Sequence, residues 1–109
     1  MPRDTGLPPG TLMMLILRLL DTGPLHGYAI AQRIHLLSQE VLSVEEGSLY
    51  PALQKLLLNG WVKAAWTTSE SGRAVREYRL TASGRKKLES ALAEYRRVGR
   101  AIDLLLDGA

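Results

Sequence analysis

The chain has no cysteine and no phenylalanine. Without cysteine there is no disulfide framework and no thiolate metal site, a composition that fits a reducing cytosol. Without phenylalanine, filling the interior falls largely to leucine. His26 and His35 are the two histidines, and neither has a second ligand at metal-binding spacing. No long apolar run is present: the longest, residues 12–20, is broken by Arg18 and is too short to span a bilayer. The opening MPRDTGLPPG lacks the apolar core of a signal peptide. Gly-x-Ser-x-Gly and glycine-rich phosphate loops are missing too, and with them the usual marks of a hydrolase or nucleotide enzyme. The expectation is a cytoplasmic, non-enzymatic chain without metal or cofactor.

What is present is enough for one small domain: 109 residues, 46% of them hydrophobic. Net charge is only +3, but it is unevenly spread. Residues 1–46 carry three arginines against five acids, net −2. Residues 47–87 carry eight basic residues against Glu70 and Glu77, net +6. Residues 88–109 return to −1. A basic block of this kind suits a polyanion, although a solvated arginine-rich surface has the same composition.

Proline and glycine make residues 1–10 a flexible arm. Thr11 is placed to cap a first helix over about 12–21, apolar almost all round and therefore buried on most sides. Asp21-Thr-Gly-Pro24 stops it, and His26 falls in the turn. A second helix over about 27–38 carries Tyr28, Ile30, Ile34 and Leu37 as its apolar stripe, with His35 facing outward. Residues 38–46 link it to a third, anchored by Leu42 and Val44.

The third helix, in EEGSLYPALQKLLLNG (45–60), is unusual. Its back end is ordinary core, with Leu53, Leu56 and Leu57 at i, i+3, i+4 and Gly60 at the stop. Its front end is small, polar and aromatic, with Pro51 close behind. Two starts are open: a capping box from Ser43 to Glu46, or a cap at Ser48 with Pro51 in the first turn. Either start leaves free N–H groups and partial positive charge, which suit phosphate. Ser48, Tyr50 and Gln54 can reach phosphates or base edges and Lys55 adds charge, while Leu49 and the other leucines pack inward.

After Gly60 the period changes from helical to alternating. Residues 61–67 and 75–80 read as two strands around Ser69-Glu-Ser-Gly-Arg73, an antiparallel hairpin. Arg73 and Arg76 lie near its tip and Lys63 on its first strand. Thr81-Ala-Ser-Gly launches a long last helix that opens on Arg85-Lys86-Lys87, residues that oppose the helix dipole and touch either nucleic acid or water. Along it Leu88, Leu92, Tyr95, Gly99, Ile102 and Leu106 form a seam of a-and-d type, so a second copy of the chain is the expected partner. The fold class is mainly α with a small β-hairpin: a winged helix-turn-helix over 11–80, then a C-terminal dimerisation helix over 81–109. Two other classes compete. A protein-interaction module that has lost DNA binding would carry a neutral or acidic third helix and wing. An apolar-ligand-binding dimer would need no basic wing.

GPLHGYAIAQRI (23–34), EGSLYPALQKLLLNGWV (46–62) and GRAVREYRLTASGRKKL (72–88) together resemble the PadR family of transcriptional regulators over about residues 10–107. The single C-terminal helix is similar to the short subtype, which includes multidrug-sensing members. The resemblance implies a homodimer, usually a repressor, that binds double-stranded operator DNA and is released by a small hydrophobic or aromatic effector. It marks Tyr28, Ser48, Tyr50, Gln54 and Lys55 as DNA-facing, and Arg73 and Arg76 as wing contacts. It places Tyr95 where an aromatic lines an effector pore, Met13 and Leu17 on the opposite wall, and Gly99 where an acid would attract cationic drugs. Glu77 departs from the aromatic or basic residue usual in that wing strand.

Overall fold

The computed structural model describes residue 7 and residues 10–108; the expected arm over 1–10 lies almost wholly outside them. Seven elements follow in order: α1 (Thr11–Leu20), β1 (Leu25–His26), α2 (Gly27–Leu37), α3 (Glu46–Leu58), β2 (Val62–Thr68), β3 (Ala74–Leu80) and α4 (Ala82–Gly108).

Helix α1 is nearly all apolar and supplies Met14, Ile16, Leu17 and Leu20 to the core. Thr11 does not cap it. Gly10 leads in with φ 85°, a left-handed turn that glycine adopts without strain, and Thr11 is the first helical residue. On α2 the buried residues are Gly27, Ile30 and Ile34. Tyr28 and Leu37, expected on the same stripe, are exposed. Tyr28 lies roughly 160° around the helix from Ile30, and Leu37 is the last residue, where the helix leaves the core. His35, expected to face outward, is half-buried: its Nδ1–H donates to the Leu42 carbonyl at 2.9 Å, while its Nε2 lies toward the exposed Glu40.

The link that follows packs Leu42 and Val44 against the core and delivers α3 with Glu45 at its N-cap, between the two expected starts. Pro51 is therefore the sixth helical residue and removes the ladder bond to the exposed Gly47 carbonyl. Leu49, Ala52, Leu53 and Leu56 face inward. The helix closes with a Schellman pair, Gly60 N–H to Leu57 and Trp61 N–H to Leu56, both 3.0 Å, with Gly60 at φ 73°.

The sheet has three antiparallel strands in the order β1-β3-β2. The short β1 pairs Leu25 with Tyr78 and His26 with Glu77, so the turn before α2 is stitched to the hairpin. In β2–β3, the pairs Val62–Leu80, Ala64–Tyr78 and Trp66–Arg76 share one face, while Lys63–Arg79, Ala65–Glu77 and Thr67–Val75 share the other. Val62 and Tyr78 are buried, so the first face is the one turned to the helices.

The start of α4 is fixed to the hairpin base. Thr81 donates through Oγ1 to the Gly60 carbonyl (2.7 Å) and through its N–H to the Trp61 carbonyl (3.1 Å), and its Oγ1 accepts the Gly84 N–H (2.9 Å). Gly84 sits so close that a Cβ there would run into the Trp61 carbonyl oxygen. Arg85 reaches Asp21 at the end of α1 at 3.1 Å. Leu88, expected in a dimer seam, is only 3% exposed within its own chain and belongs to the core. From Tyr95 onward most of the helix stands exposed.

Candidate nucleic-acid interface

Two concave surfaces flank the core. The first is a groove of about 560 Å³ between the front of α3, the start of α2 and the hairpin. Tyr28, Tyr50, Trp66, Arg73, Arg76 and Tyr78 line it, and no carboxylate does. Tyr28 is 75% exposed. Tyr50 both packs and presents: its ring lies on Gly27, where an added Cβ would be 3.1 Å from Oη and 3.2 Å from Cε1. Glycine at 27 is what lets the α2 backbone approach the ring. Arg76 lies over Tyr78, 5.9 Å from the ring centroid. Burial pushes the Tyr78 phenol above its ordinary value of 10.0; the Arg76 guanidinium pulls it the other way, and Tyr50 adds to the rise.

The expected DNA-facing residues divide in space. Tyr28, Tyr50, Arg73 and Arg76 meet in the groove. Gln54 and Lys55 are exposed further along α3, and Ser48 is half-buried in its first turn. Lys63 points away, on the opposite sheet face beside Arg79. Glu77 is on that same far face and pairs with Arg79 at 3.3 Å, so its charge does not enter the groove. Glu45 at the N-cap and Glu46 at the first position already place negative charge on the front of α3. That weakens the helix end as a phosphate site and leaves the hairpin arginines as the better anion ligands.

Trp66 was not singled out by sequence. It continues the inward phase of Val62 and Ala64, but at a point where the sheet has run past the core, and it is 72% exposed. The phase itself was the available signal: an inward-pointing indole beyond the last packed residue has to face something else.

The second surface is a cleft of about 550 Å³ between α1 and α4. Met13, Leu17 and Tyr95 meet there, with Trp61, Lys87 and Glu94; Gly99 lies outside it. Lys87 covers Trp61, its ammonium 4.9 Å from the ring centroid. With Arg85 held by Asp21 and Lys87 by Trp61, two of the three basic residues opening α4 have partners inside the fold. Glu94 is bonded by Arg97 at 2.7 Å and 3.1 Å, which holds its carboxyl below the usual range. Of the chain's six aromatic residues, four line the groove and two, Trp61 and Tyr95, line the cleft.

Among the described residues no group of three or more acidic or histidine side chains could hold a metal ion, and no helix is long and apolar enough to cross a membrane. A helical trio carrying a β-hairpin, with an arginine-lined groove between them, defines a winged-helix protein of the nucleic-acid-binding kind. Residues 16–90 match the transcriptional regulator PadR-like family, and the chain belongs to it. A solved structure from Streptococcus mutans is 32% identical, with a TM-score of 0.79, over 89% of this chain and 87% of that one. A transcriptional regulator from Clostridium thermocellum is 28% identical, TM-score 0.77, over 84% and 88%. A PadR family transcriptional regulator from Eggerthella lenta is 28% identical, TM-score 0.76, over 92% and 85%. An uncharacterized protein of Lysinibacillus sphaericus is 29% identical over 99 residues, 91% of each chain. The chain is thus a transcriptional regulator with a winged-helix fold.

Proposed function

We propose that this regulator is a cytoplasmic homodimeric repressor that grips a pseudo-palindromic operator and releases it when a small hydrophobic or aromatic effector binds. The observation that carries this reading is the groove itself: two arginines, no carboxylate and an exposed tyrosine between the front of α3 and the wing. Residues 11–80 act as the DNA-binding unit and 81–109 as the dimerisation helix. α3 enters the major groove, where Gln54 reads base edges and Lys55 meets phosphate. Arg73 and Arg76 clamp the flanking backbone. Two-fold symmetry sets the half-sites about one helical turn, roughly 10 bp, apart or a multiple of it. Ile102 and Leu106 pack on a second copy. The cleft carrying Met13, Leu17, Trp61 and Tyr95 receives the effector.

The test is titration of labelled DNA from the gene's own upstream region at two salt concentrations, with a scrambled duplex alongside. The expected result is tight, salt-sensitive binding that prefers the native DNA, with the slope of log affinity against log salt falling by about one unit in Arg73→Ala. Absence of binding at low salt would sink the repressor reading and leave a ligand-binding dimer.

A further inference from the structure

We propose that Trp66 is a DNA-contacting residue, and that with Arg76 it forms a two-part clamp on one sugar–phosphate strand. The guanidinium takes the phosphate and the indole packs on the deoxyribose beside it. This deepens the operator-binding reading and rests on it.

Exposed apolar side chains are common on protein surfaces, and exposure alone would carry nothing. Three observations set Trp66 apart. It is directly opposite Arg76 across the β2–β3 ladder and on the same face, so one ligand can touch both. That face overhangs a concave groove whose other walls carry Tyr28 at the start of α2 and Tyr50 at the front of α3. The lining holds two arginines and no carboxylate, which matches a polyanion and disfavours a basic or purely apolar partner. Arginine interleaved with aromatic rings is the surface that nucleic acid fits: charge for the phosphates and flat apolar faces for sugar or base. Being uncharged, the indole meets the strand as a salt-independent contact, unlike its arginine neighbour.

The experiment compares wild type, Trp66→Ala, Trp66→Phe and Arg76→Gln in titrations of operator duplex at three salt concentrations, with one strand of the same sequence as control. Trp66→Ala should lose about tenfold in duplex affinity while keeping the wild-type salt slope, since burying one face of an indole against a sugar contributes on the order of that factor. Trp66→Phe should stay within about threefold of wild type, because a ring still covers the sugar. Arg76→Gln should lower the slope by about one unit. Duplex binding should change tryptophan emission in wild type but not in Trp66→Phe, where Trp61 alone reports. The side chain is outside the core, so equal thermal melts of the variants check that folding is intact. Affinity of Trp66→Ala within twofold of wild type, a slope loss equal to that of Arg76→Gln, or tighter binding of the single strand than of the duplex would overturn the clamp. Wild-type protein that binds no duplex overturns the operator reading as well; a binding wild type with an unaffected Trp66→Ala overturns the clamp alone.

Discussion

From Ala82 to Leu92, helix α4 lies against its own domain: Gly84 touches the Trp61 carbonyl, Arg85 reaches Asp21, and Leu88 closes the core. From Tyr95 to Leu106 the same apolar face is largely exposed, with Tyr95 57% and Leu106 75% exposed. One half of the helix is a fold element and the other is exposed apolar surface. On the dimer reading proposed above, the difference separates stability from assembly within a single helix, and substitutions along it should separate the two readouts.

The largest effect is expected at Gly84→Ala, where a methyl would meet backbone oxygen rather than a side chain that could swing away. Urea unfolding should show a loss of about 3 kcal/mol or more. Leu88→Ala removes core volume, and about 2–3 kcal/mol should be lost in the same assay. A Leu88→Ala chain that keeps its stability but falls apart as a dimer would reverse the assignment. Ile102→Asp should leave the folding free energy of the monomer within about 0.5 kcal/mol. By ultracentrifugation, however, it should convert the dimer proposed above to monomers and lower operator affinity; a chain that stays dimeric would move the proposed interface elsewhere. Smallest of all is Glu94→Gln, at the boundary between the halves. The Arg97 bond depresses the Glu94 carboxyl, so whatever the pair adds is present above its ordinary value of 4.5 and is lost as pH falls through the lower, folded value. The variant should match wild type in melts at low pH and melt slightly lower near neutrality.

The order of elements, the leucine core and the position of the hairpin were legible because each has its own period. The seam on α4 was legible as a pattern but not in its meaning. Spacings of four and three mark an apolar face, and they are the same whether the face meets α1 or another molecule. Leu88 and Leu106 cannot be told apart that way. β1 escaped notice because two residues carry no alternation, and its pairing to β3 is fixed by tertiary contact. Lys63 was grouped with Arg73 and Arg76 by charge, yet the pleat puts it on the opposite face. The cleft was half legible: Met13, Leu17 and Tyr95 converge, but Trp61 and Lys87 join them through the junction of the hairpin with α4, which sequence distance conceals.

That junction has a mechanical consequence. Gly60, Trp61, Thr81 and Gly84 are locked by two hydrogen bonds from Thr81, a third into its hydroxyl, and a side-chain-free contact, so there is no slack between the hairpin base and α4. They form the fulcrum of a two-armed lever. The helical arm from Gly84 to Leu106 is about 33 Å long and the hairpin arm about 23 Å. Were the two arms to turn as one body, a swing of about 5° that carries Leu106 by about 3 Å would carry the hairpin tip by about 2 Å, comparable to the difference between touching a phosphate and missing it. Trp61 forms part of the fulcrum and also of the cleft wall, so on the effector reading proposed above a ligand wedged between α1 and α4 would press on the lever at its pivot.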